Sequence, residues 1–269
     1  MIKSTEISRN YSVYFFIFTN MELKQYLDAT YLKLPDQAGL TEQQNNEVVK
    51  NFIQECIDEQ YQLVMIRPDQ VSFARKMINE QHSKVLVGTV IGFPEGTYSL
   101  EEKLTEAKKA IGDGVDELDF VCNYYAFQQG DIALVKKEIL EGTQLGLSHH
   151  KVVKWIIEVA ALNATEIMKI SALIKNVVIA NFKENQFSQV FVKSSTGFYP
   201  TTDGKPNGAT FETIHWMLEN ASPLPVKAAG GVKTFEDAVK MIRMGVQRIG
   251  TSSAKAILHK GSSSISTRY

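Results

Sequence analysis

The chain has 269 residues, of which 44% are hydrophobic and 22% charged, a composition that excludes disordered and collagen-like chains. The 29 Lys and Arg residues nearly balance the 30 Asp and Glu residues, so no overall basic field is present to hold nucleic acid or an anionic membrane. The two cysteines, Cys56 and Cys122, have neither zinc-knuckle spacing nor the density of a disulfide scaffold, which indicates a reducing cytoplasm.

The two ends of the chain differ in pattern from the rest. The one apolar run near the start, residues 13–18, is too short for a signal-peptide core or a membrane span. We therefore expect residues 1–21 to be a disordered N-terminal extension, with Met21 as an alternative start. Residues 22–259 are expected to form one domain, and the small polar residues of 260–269 a flexible C-terminal tail.

From Glu22 onward, short β-branched apolar runs alternate with longer stretches of helical periodicity, which indicates βα units and a parallel sheet. Capping boxes predict helix starts at Thr41 with Gln44 and at Ser99 with Glu102. Further helices are predicted over about 68–80, 131–145, 164–185, 208–220, 234–244 and 252–259. The predicted strands are 26–30, 62–66, 85–91, 117–122, 152–159, 189–193, 225–229 and 248–251.

Eight strands with eight crossovers in about 245 residues are typical of a TIM (β/α)8 barrel, so the predicted fold class is α/β with a single domain. No Gly/Ser-rich linker interrupts the chain after residue 21. A doubly wound sheet would need fewer strands and usually has a glycine-rich first turn, which is absent after Thr30.

Functional groups of a TIM barrel lie at the carboxyl ends of its strands, and several predicted strands have polar residues there. Asp28 and Thr30 end the first strand, Asp119 lies in the fourth, Lys193 ends the sixth and Lys227 lies in the seventh. Either lysine alone would be interpreted as solvated. Two lysines in successive apolar strands instead favour a functional pair, because each buried charge needs a partner or a shifted pKa.

Imine formation suits such a pair. One lysine must be neutral to attack a carbonyl, and a second ammonium close by lowers its pKa. Lys193 lies in a hydroxyl-rich turn and is the predicted nucleophile, while Lys227 keeps its proton. An ionised Asp119 would move protons through a water during carbinolamine formation and enamine protonation.

A phosphate site is predicted independently, from glycines and hydroxyls that follow strands seven and eight. TIM barrels commonly hold a phosphate there on backbone N–H groups at a short helix N-terminus. Simple turn glycines would explain either loop alone but not both together. The predicted substrate-binding residues are Asp28, Thr30, Thr196, Gly197, Gly230, Gly231, Lys233, Gly250, Ser252 and Ser253.

Seven segments of the chain carry a further signal through their sequence and order: LDATYLK (27–33), VIGFPEG (90–96), DELDFVCN (116–123), VKWIIE (153–158), VKSSTGF (192–198), VKAAGGVKT (226–234) and RIGTSSA (248–254). With these segments in family order, the chain closely resembles the deoxyribose-phosphate aldolases, which are class I (Schiff-base) aldolases, over about residues 22–258. The resemblance implies a TIM barrel that reversibly cleaves 2-deoxy-D-ribose 5-phosphate into D-glyceraldehyde 3-phosphate and acetaldehyde without a metal or organic cofactor.

The resemblance also implies roles for single residues. The imine-forming lysine of the K-x-S-T-G motif falls on Lys193, the second lysine on Lys227 and the proton-relay aspartate on Asp119. Some relatives end in a tyrosine that assists proton transfer, which points to Tyr269. The expected partner is a small phosphorylated sugar, with no nucleic acid or membrane. The expected protein is a cytoplasmic homo-oligomer, most often a dimer, that serves deoxynucleoside breakdown.

The chain departs from the family pattern at several positions. Met65 replaces a cysteine found in many relatives, Phe198 replaces a lysine found in some, and Lys233 stands where arginine is common. The stretch 199–207 is longer than in many relatives. Two alternatives remain open: a catalytically inactive sugar-phosphate-binding barrel, which would not need both lysines and Asp119, and a transaldolase-type Schiff-base enzyme.

Four further features have structural interpretations. The adjacent histidines at 149–150 are expected to be solvated loop residues, because their neighbourhood lacks further metal ligands. Glu158 is expected to form an ion pair with Lys154 or with a catalytic lysine. Cys122 is expected to be a small buried apolar residue, and Tyr124 to pack at the barrel rim.

Overall fold

Eight parallel strands close into a barrel in chain order, and the first strand pairs with the last. The structure, a computed structural model, describes residues 23–202 and 204–263; the predicted extension 1–21 and Tyr269 lie outside them. The predicted TIM barrel is confirmed. Its strands are β1 (Leu27–Thr30), β2 (Leu63–Ile66), β3 (Leu86–Ile91), β4 (Glu117–Val121), β5 (Val152–Ile156), β6 (Val190–Lys193), β7 (Val226–Ala229) and β8 (Arg248–Thr251).

Helices cross over between the strands, and two begin at the predicted caps. The hydroxyl of Thr41 accepts the N–H of Gln44 at 3.2 Å, and that of Ser99 accepts the N–H of Glu102 at 3.2 Å. The helices of the described residues are α1 (Pro35–Ala38), α2 (Glu42–Glu59), α3 (Val71–Glu80), α4 (Leu100–Gly112), α5 (Tyr124–Gln128), α6 (Ile132–Ser148), α7 (Ala164–Asn181), α8 (Phe211–Ala221), α9 (Phe235–Met244) and α10 (Ala254–Ser263), with 3₁₀ turns at Leu23–Tyr26, Pro68–Gln70, Val159–Ala161 and Glu184–Gln189.

Some element bounds differ from the prediction. The fifth strand was predicted to reach residue 159 but ends at Ile156, because Glu158 adopts a left-handed backbone with φ of 55°. The helices α1 and α5 were missed, since a single turn is too short to show a helical period. The last helix overlaps 260–263, the start of the predicted tail.

Side chains of each strand alternate between two cores. In β2, Val64 and Ile66 pack in the large cluster that includes helix residues, whereas Leu63 and Met65 belong to a second cluster. That second cluster lies inside the barrel and consists of apolar side chains from β2 to β5 and from the segments that follow β1, β3 and β4. Across residues 23–202 and 204–263, no helix combines the length and apolar composition needed to cross a membrane.

Candidate active site

Three of the predicted catalytic residues meet inside the barrel. Lys193 and Lys227 lie opposite each other in the register of β6 and β7, and both side chains reach Asp119 on β4. The Nζ of Lys193 lies 2.8 Å and the Nζ of Lys227 2.9 Å from the same oxygen, Oδ2 of Asp119. All three side chains are buried, so this oxygen links two lysines that are largely withdrawn from water.

The environment favours a neutral Lys193. Burial lowers the pKa of Lys193 to about 8, the Asp119 carboxylate opposes the decrease, and the Lys227 ammonium adds to it. With that pKa, about a tenth of the Lys193 amines carry a free electron pair at pH 7. The site therefore holds a nucleophilic amine near neutral pH.

Asp119 stays ionised despite its burial. Burial alone would raise its pKa, but the ammonium groups of Lys154, Lys193 and Lys227 hold the pKa of Asp119 well below its usual range. Its second oxygen, Oδ1, accepts a hydrogen bond from Lys154 at 2.7 Å. The carboxylate therefore accepts hydrogen bonds from three lysines.

A second layer of charges lies beneath this group. Glu117 and Arg248 were not predicted as site residues, and Lys154 was predicted only as an ion-pair partner of Glu158. Lys154 Nζ lies 2.5 Å from Glu117 Oε2, and Arg248 contacts Glu117 Oε1 at 2.6 Å. Arg248 also contacts Asp28 Oδ1 at 2.5 Å, while Lys227 contacts Asp28 Oδ2 at 2.6 Å. A sequence signal existed for Glu117, which lies two residues before Asp119 and therefore points to the same face of β4.

The predicted ion pair of Glu158 is wrong. Its carboxylate accepts the Ser195 hydroxyl at 2.7 Å, the Thr196 N–H at 3.1 Å and the Thr196 hydroxyl, while Lys154 pairs with other carboxylates. Burial raises the pKa of Glu158. The left-handed backbone at Glu158 places its carboxylate beside Ser195 and Thr196, the residues that follow β6. The hydrogen bonds to this carboxylate hold those residues in place.

A cavity of 340 Å³ opens above Lys193 at the carboxyl ends of the strands. Of the two lysines and Asp119, only Lys193 is among the residues that line it. Two of the predicted binding residues, Asp28 and Ser253, are not among the lining residues. Asp28 is fully buried and pairs with Lys227 and Arg248, and the N–H of Ser253 donates to the Thr251 hydroxyl at 2.9 Å. The predicted binding residues that line the cavity are Thr30, Thr196, Gly197, Gly230, Gly231, Lys233, Gly250 and Ser252.

One side of this cavity is suited to an anion. Gly230 and Gly231 have φ values of 81° and 82°, a left-handed conformation that residues with a side chain rarely adopt. Lys33, which the sequence analysis missed, lines the cavity together with Lys233. Within residues 23–202 and 204–263, neither lysine has a carboxylate partner within ion-pair distance. Two uncompensated cations and a glycine turn therefore face the same space.

A family model described as DeoC/LacD family aldolase matches residues 25–260. The chain belongs to the DeoC/LacD aldolase family. The resemblance inferred from seven sequence segments is thereby confirmed.

Curated relatives and solved structures agree with this assignment. The DeoC/LacD chain is 36% identical over 239 residues to the deoxyribose-phosphate aldolase of Thermococcus gammatolerans, covering 88% of this chain and 96% of that protein. It is 36% identical over 241 residues to that of Lactiplantibacillus plantarum, covering 89% and 100%. A deoxyribose phosphate aldolase from Aeropyrum pernix, described as a unique tetrameric structure, superposes with a TM-score of 0.72 at 28% identity, covering 91% and 92%.

Phe198, one of the departures from the family pattern, adds an apolar side chain to the lining of this aldolase cavity. Phe198 lines the cavity and packs edge-on against Phe93, with ring centroids 5.0 Å apart. The Arg67 guanidinium lies 4.8 Å from the Phe93 ring centroid. Met65 is fully buried among the barrel interior residues, and Leu32 joins them at the cavity.

The long stretch 199–207 returns to the cavity. Asn207, another lining residue that the sequence analysis missed, donates its side-chain N–H to the Gly197 carbonyl at 3.0 Å. Its own carbonyl oxygen lies 2.7 Å from the Ser195 hydroxyl oxygen. Gly208 then passes so close to Gly230 that a Cβ on Gly208 would lie 2.5 Å from the Gly230 Cα. Glycine is thus required where the two loops of the aldolase meet.

Two of the structural interpretations are confirmed. Cys122 is buried and free, and burial raises the pKa of its thiol. Tyr124 is buried in the interior cluster, with Tyr199 packed edge-on against it at 6.2 Å.

Proposed function

We propose that this protein reversibly cleaves 2-deoxy-D-ribose 5-phosphate to D-glyceraldehyde 3-phosphate and acetaldehyde through a Schiff base on Lys193. One observation carries the proposal: two buried lysines share one oxygen of Asp119, and Lys193 alone of the three opens onto the cavity. The substrate class is supported by the names of the curated relatives, which are deoxyribose-phosphate aldolases.

The reaction begins when the neutral Nζ of Lys193 adds to the aldehyde carbon of the open-chain sugar, and loss of water gives an iminium. Removal of the proton from the C3 hydroxyl breaks the C2–C3 bond. The electron pair of the broken C2–C3 bond passes to the iminium, which becomes an enamine, and glyceraldehyde 3-phosphate is released. Protonation of the enamine at C2 and hydrolysis then release acetaldehyde and restore Lys193.

Lys227 and Asp119 serve the proton transfers of these steps. Asp119 is ionised and hydrogen-bonded to both lysines, so a proton lost by one lysine has an acceptor within 2.9 Å. Lys227 lies beside Lys193, and its 2.6 Å ion pair with Asp28 fixes its position. Asp28 thus supports the reaction from below the cavity.

The phosphate group binds between the glycine turn after β7 and the loop after β8. Lys233 and Lys33 supply the positive charge, while Gly231 allows close approach of backbone N–H groups. The apolar side chain of Phe198 also lines the cavity and would face the carbon chain of the sugar.

An inactive sugar-phosphate-binding barrel would need the cavity and its anion-binding loops alone. It would gain nothing from burying two lysines and Asp119 in contact, since buried charges cost several kcal/mol each before they are paired. The charge cluster therefore favours the enzyme.

A cleavage assay tests the proposal. Purified protein is mixed with deoxyribose 5-phosphate, and glyceraldehyde 3-phosphate is detected through a coupled dehydrogenase. Wild type should release the product, and Lys193→Met should not, because imine chemistry has no substitute nucleophile. Lys103→Met, which removes another fully buried lysine that does not line the cavity, should remain active. An inactive wild type, or an active Lys193→Met, would exclude the mechanism.

We also propose that the protein is a cytoplasmic homo-oligomer, a dimer as first expected. The Aeropyrum pernix relative, described as tetrameric, supports self-association. The free, buried Cys56 and Cys122 fit a reducing compartment. Light scattering after size-exclusion chromatography distinguishes a dimer from a monomer or tetramer.

A further inference from the structure

The carboxylate of Asp119 is divided between catalytic and non-catalytic lysines. Its Oδ2 accepts hydrogen bonds from Lys193 and Lys227, whereas its Oδ1 accepts one from Lys154 at 2.7 Å. Lys154 is fully buried and does not line the cavity, and its ammonium contacts the carboxylates of Asp28, Glu117 and Asp119. Glu117 fixes the Lys154 ammonium from the other side at 2.5 Å.

The buried ion-paired group carries an excess of positive charge. Its carboxylates are Asp28, Glu117 and Asp119, and its cations are the three lysines on β5, β6 and β7 together with Arg248. Lys193 contacts one carboxylate, whereas every other cation contacts two or more. Lys193 is therefore the member whose charge is compensated least, and it is the one that gains most from losing a proton.

We infer that Lys154 is a positioning residue for this reaction. It orients the Asp119 carboxylate so that Oδ2 faces both catalytic lysines. Its positive charge also disfavours the protonated form of Lys193. The inference rests on the proposed function, because it assigns a role within that same reaction.

The other groups around Lys193 are accounted for. Among the described residues, Glu158 in the loop after β5 also interacts electrostatically with Lys193, and its oxygens accept hydrogen bonds from Ser195 and Thr196. The charged groups that face Lys193 or its direct partners are Asp28 on β1, Glu117 and Asp119 on β4, Lys154 on β5, Glu158 after β5, Lys227 on β7 and Arg248 on β8.

The test is the pH dependence of imine formation with acetaldehyde alone, trapped by cyanoborohydride and quantified by intact mass. In Lys154→Met the acidic limb should move to higher pH by about one unit or more, because a neighbouring positive charge is gone. In Glu117→Gln, a nearly isosteric change, the limb should move to lower pH, because a negative charge is gone. Two variants of one ion pair should thus shift in opposite directions.

A matched control removes the general cost of losing a buried lysine. Lys103 is fully buried and pairs with Glu138 at 2.9 Å outside this group, so Lys103→Met should leave the limb in place. Lys154→Arg keeps the charge and should keep the limb near that of wild type.

The possible results separate the two proposals. If wild type traps no acetaldehyde, the proposed function fails. If wild type traps acetaldehyde but Lys154→Met and Glu117→Gln shift the limb in the same direction, or not at all, the role of Lys154 is refuted. Should Lys154→Met not fold, Glu117→Gln decides: a downward shift supports the role, and an unchanged limb overturns it.

Discussion

Replacing Asp119 by asparagine should separate imine formation from turnover. The side chain keeps its shape but loses the charge that three lysine ammonium groups contact at 2.7, 2.8 and 2.9 Å. Because the Asp119 carboxylate raises the pKa of Lys193, its loss should bring that pKa below its present value of about 8. If the pKa falls to 7, the neutral fraction of Lys193 at pH 7 rises from about a tenth to about half.

Turnover should change in the opposite direction. Loss of a general acid or base costs roughly two or more orders of magnitude in rate, so Asp119→Asn should lower kcat by about 100-fold or more. Substrate affinity should change less, since Asp119 does not line the cavity. The stability of the fold should fall by about 3–5 kcal/mol, because buried cations lose a partner.

Two measurements on the same preparation test this prediction. Cyanoborohydride trapping of acetaldehyde reports the imine, and the coupled cleavage assay reports kcat, each across pH 5.5–9 by design. The expected result is an acidic limb of trapping at lower pH than in wild type, with a much reduced kcat. Turnover equal to that of wild type would remove Asp119 from the mechanism.

Three other predictions concern the rest of the chain. Lys233→Ala and Lys33→Ala should each raise KM for deoxyribose 5-phosphate by about tenfold, the scale of one charge-assisted hydrogen bond, and leave KM for unphosphorylated deoxyribose unchanged; equal loss with both sugars would contradict a phosphate contact. Since the pKa of Lys193 is lowered from 10.5 to about 8, the unfolded chain binds more protons between these values, so stability rises with pH. Between pH 7 and 10, the free energy of unfolding of wild type should rise by about 2.5 kcal/mol relative to that of Lys193→Met, as measured by urea titration. A difference between the two proteins that does not change with pH would refute the lowered pKa of Lys193. Deleting Tyr269 should slow solvent-proton exchange into acetaldehyde without weakening imine formation, whereas unchanged exchange would leave Tyr269 without a catalytic role.

The site residues that were predicted most directly from the sequence are those whose burial costs the most free energy. Lys193 and Lys227 are found because lysines are rare in apolar strands, and Asp119 because it follows the same rule on β4. Lys154 lies in an equally apolar strand, so the same argument applied to VVKWI would have identified it. Its partner Glu117 lies two residues from Asp119 on the same face.

Other features needed the folded chain. Asp28 was predicted to bind substrate because it lies near the carboxyl end of the first strand. How deep its side chain lies along the barrel axis depends on strand register, which the sequence does not give. Its pairing with Arg248 joins residues from the two ends of the chain, which no local pattern reveals. The direction of the Glu158 carboxylate depends on one left-handed backbone angle. Lys33 and Asn207 are exposed or loop residues, where pattern carries little information.

The central claim is that Lys193 forms the Schiff base, and mapping the covalent adduct tests it most directly. Protein incubated with deoxyribose 5-phosphate is reduced with borohydride, digested and sequenced by tandem mass spectrometry. After digestion with endoproteinase Lys-C, the added mass should lie on Lys193, in the peptide that spans residues 184–205, and should be absent from Lys227. An adduct on Lys227, or none on either lysine in protein that cleaves the sugar, would contradict the account.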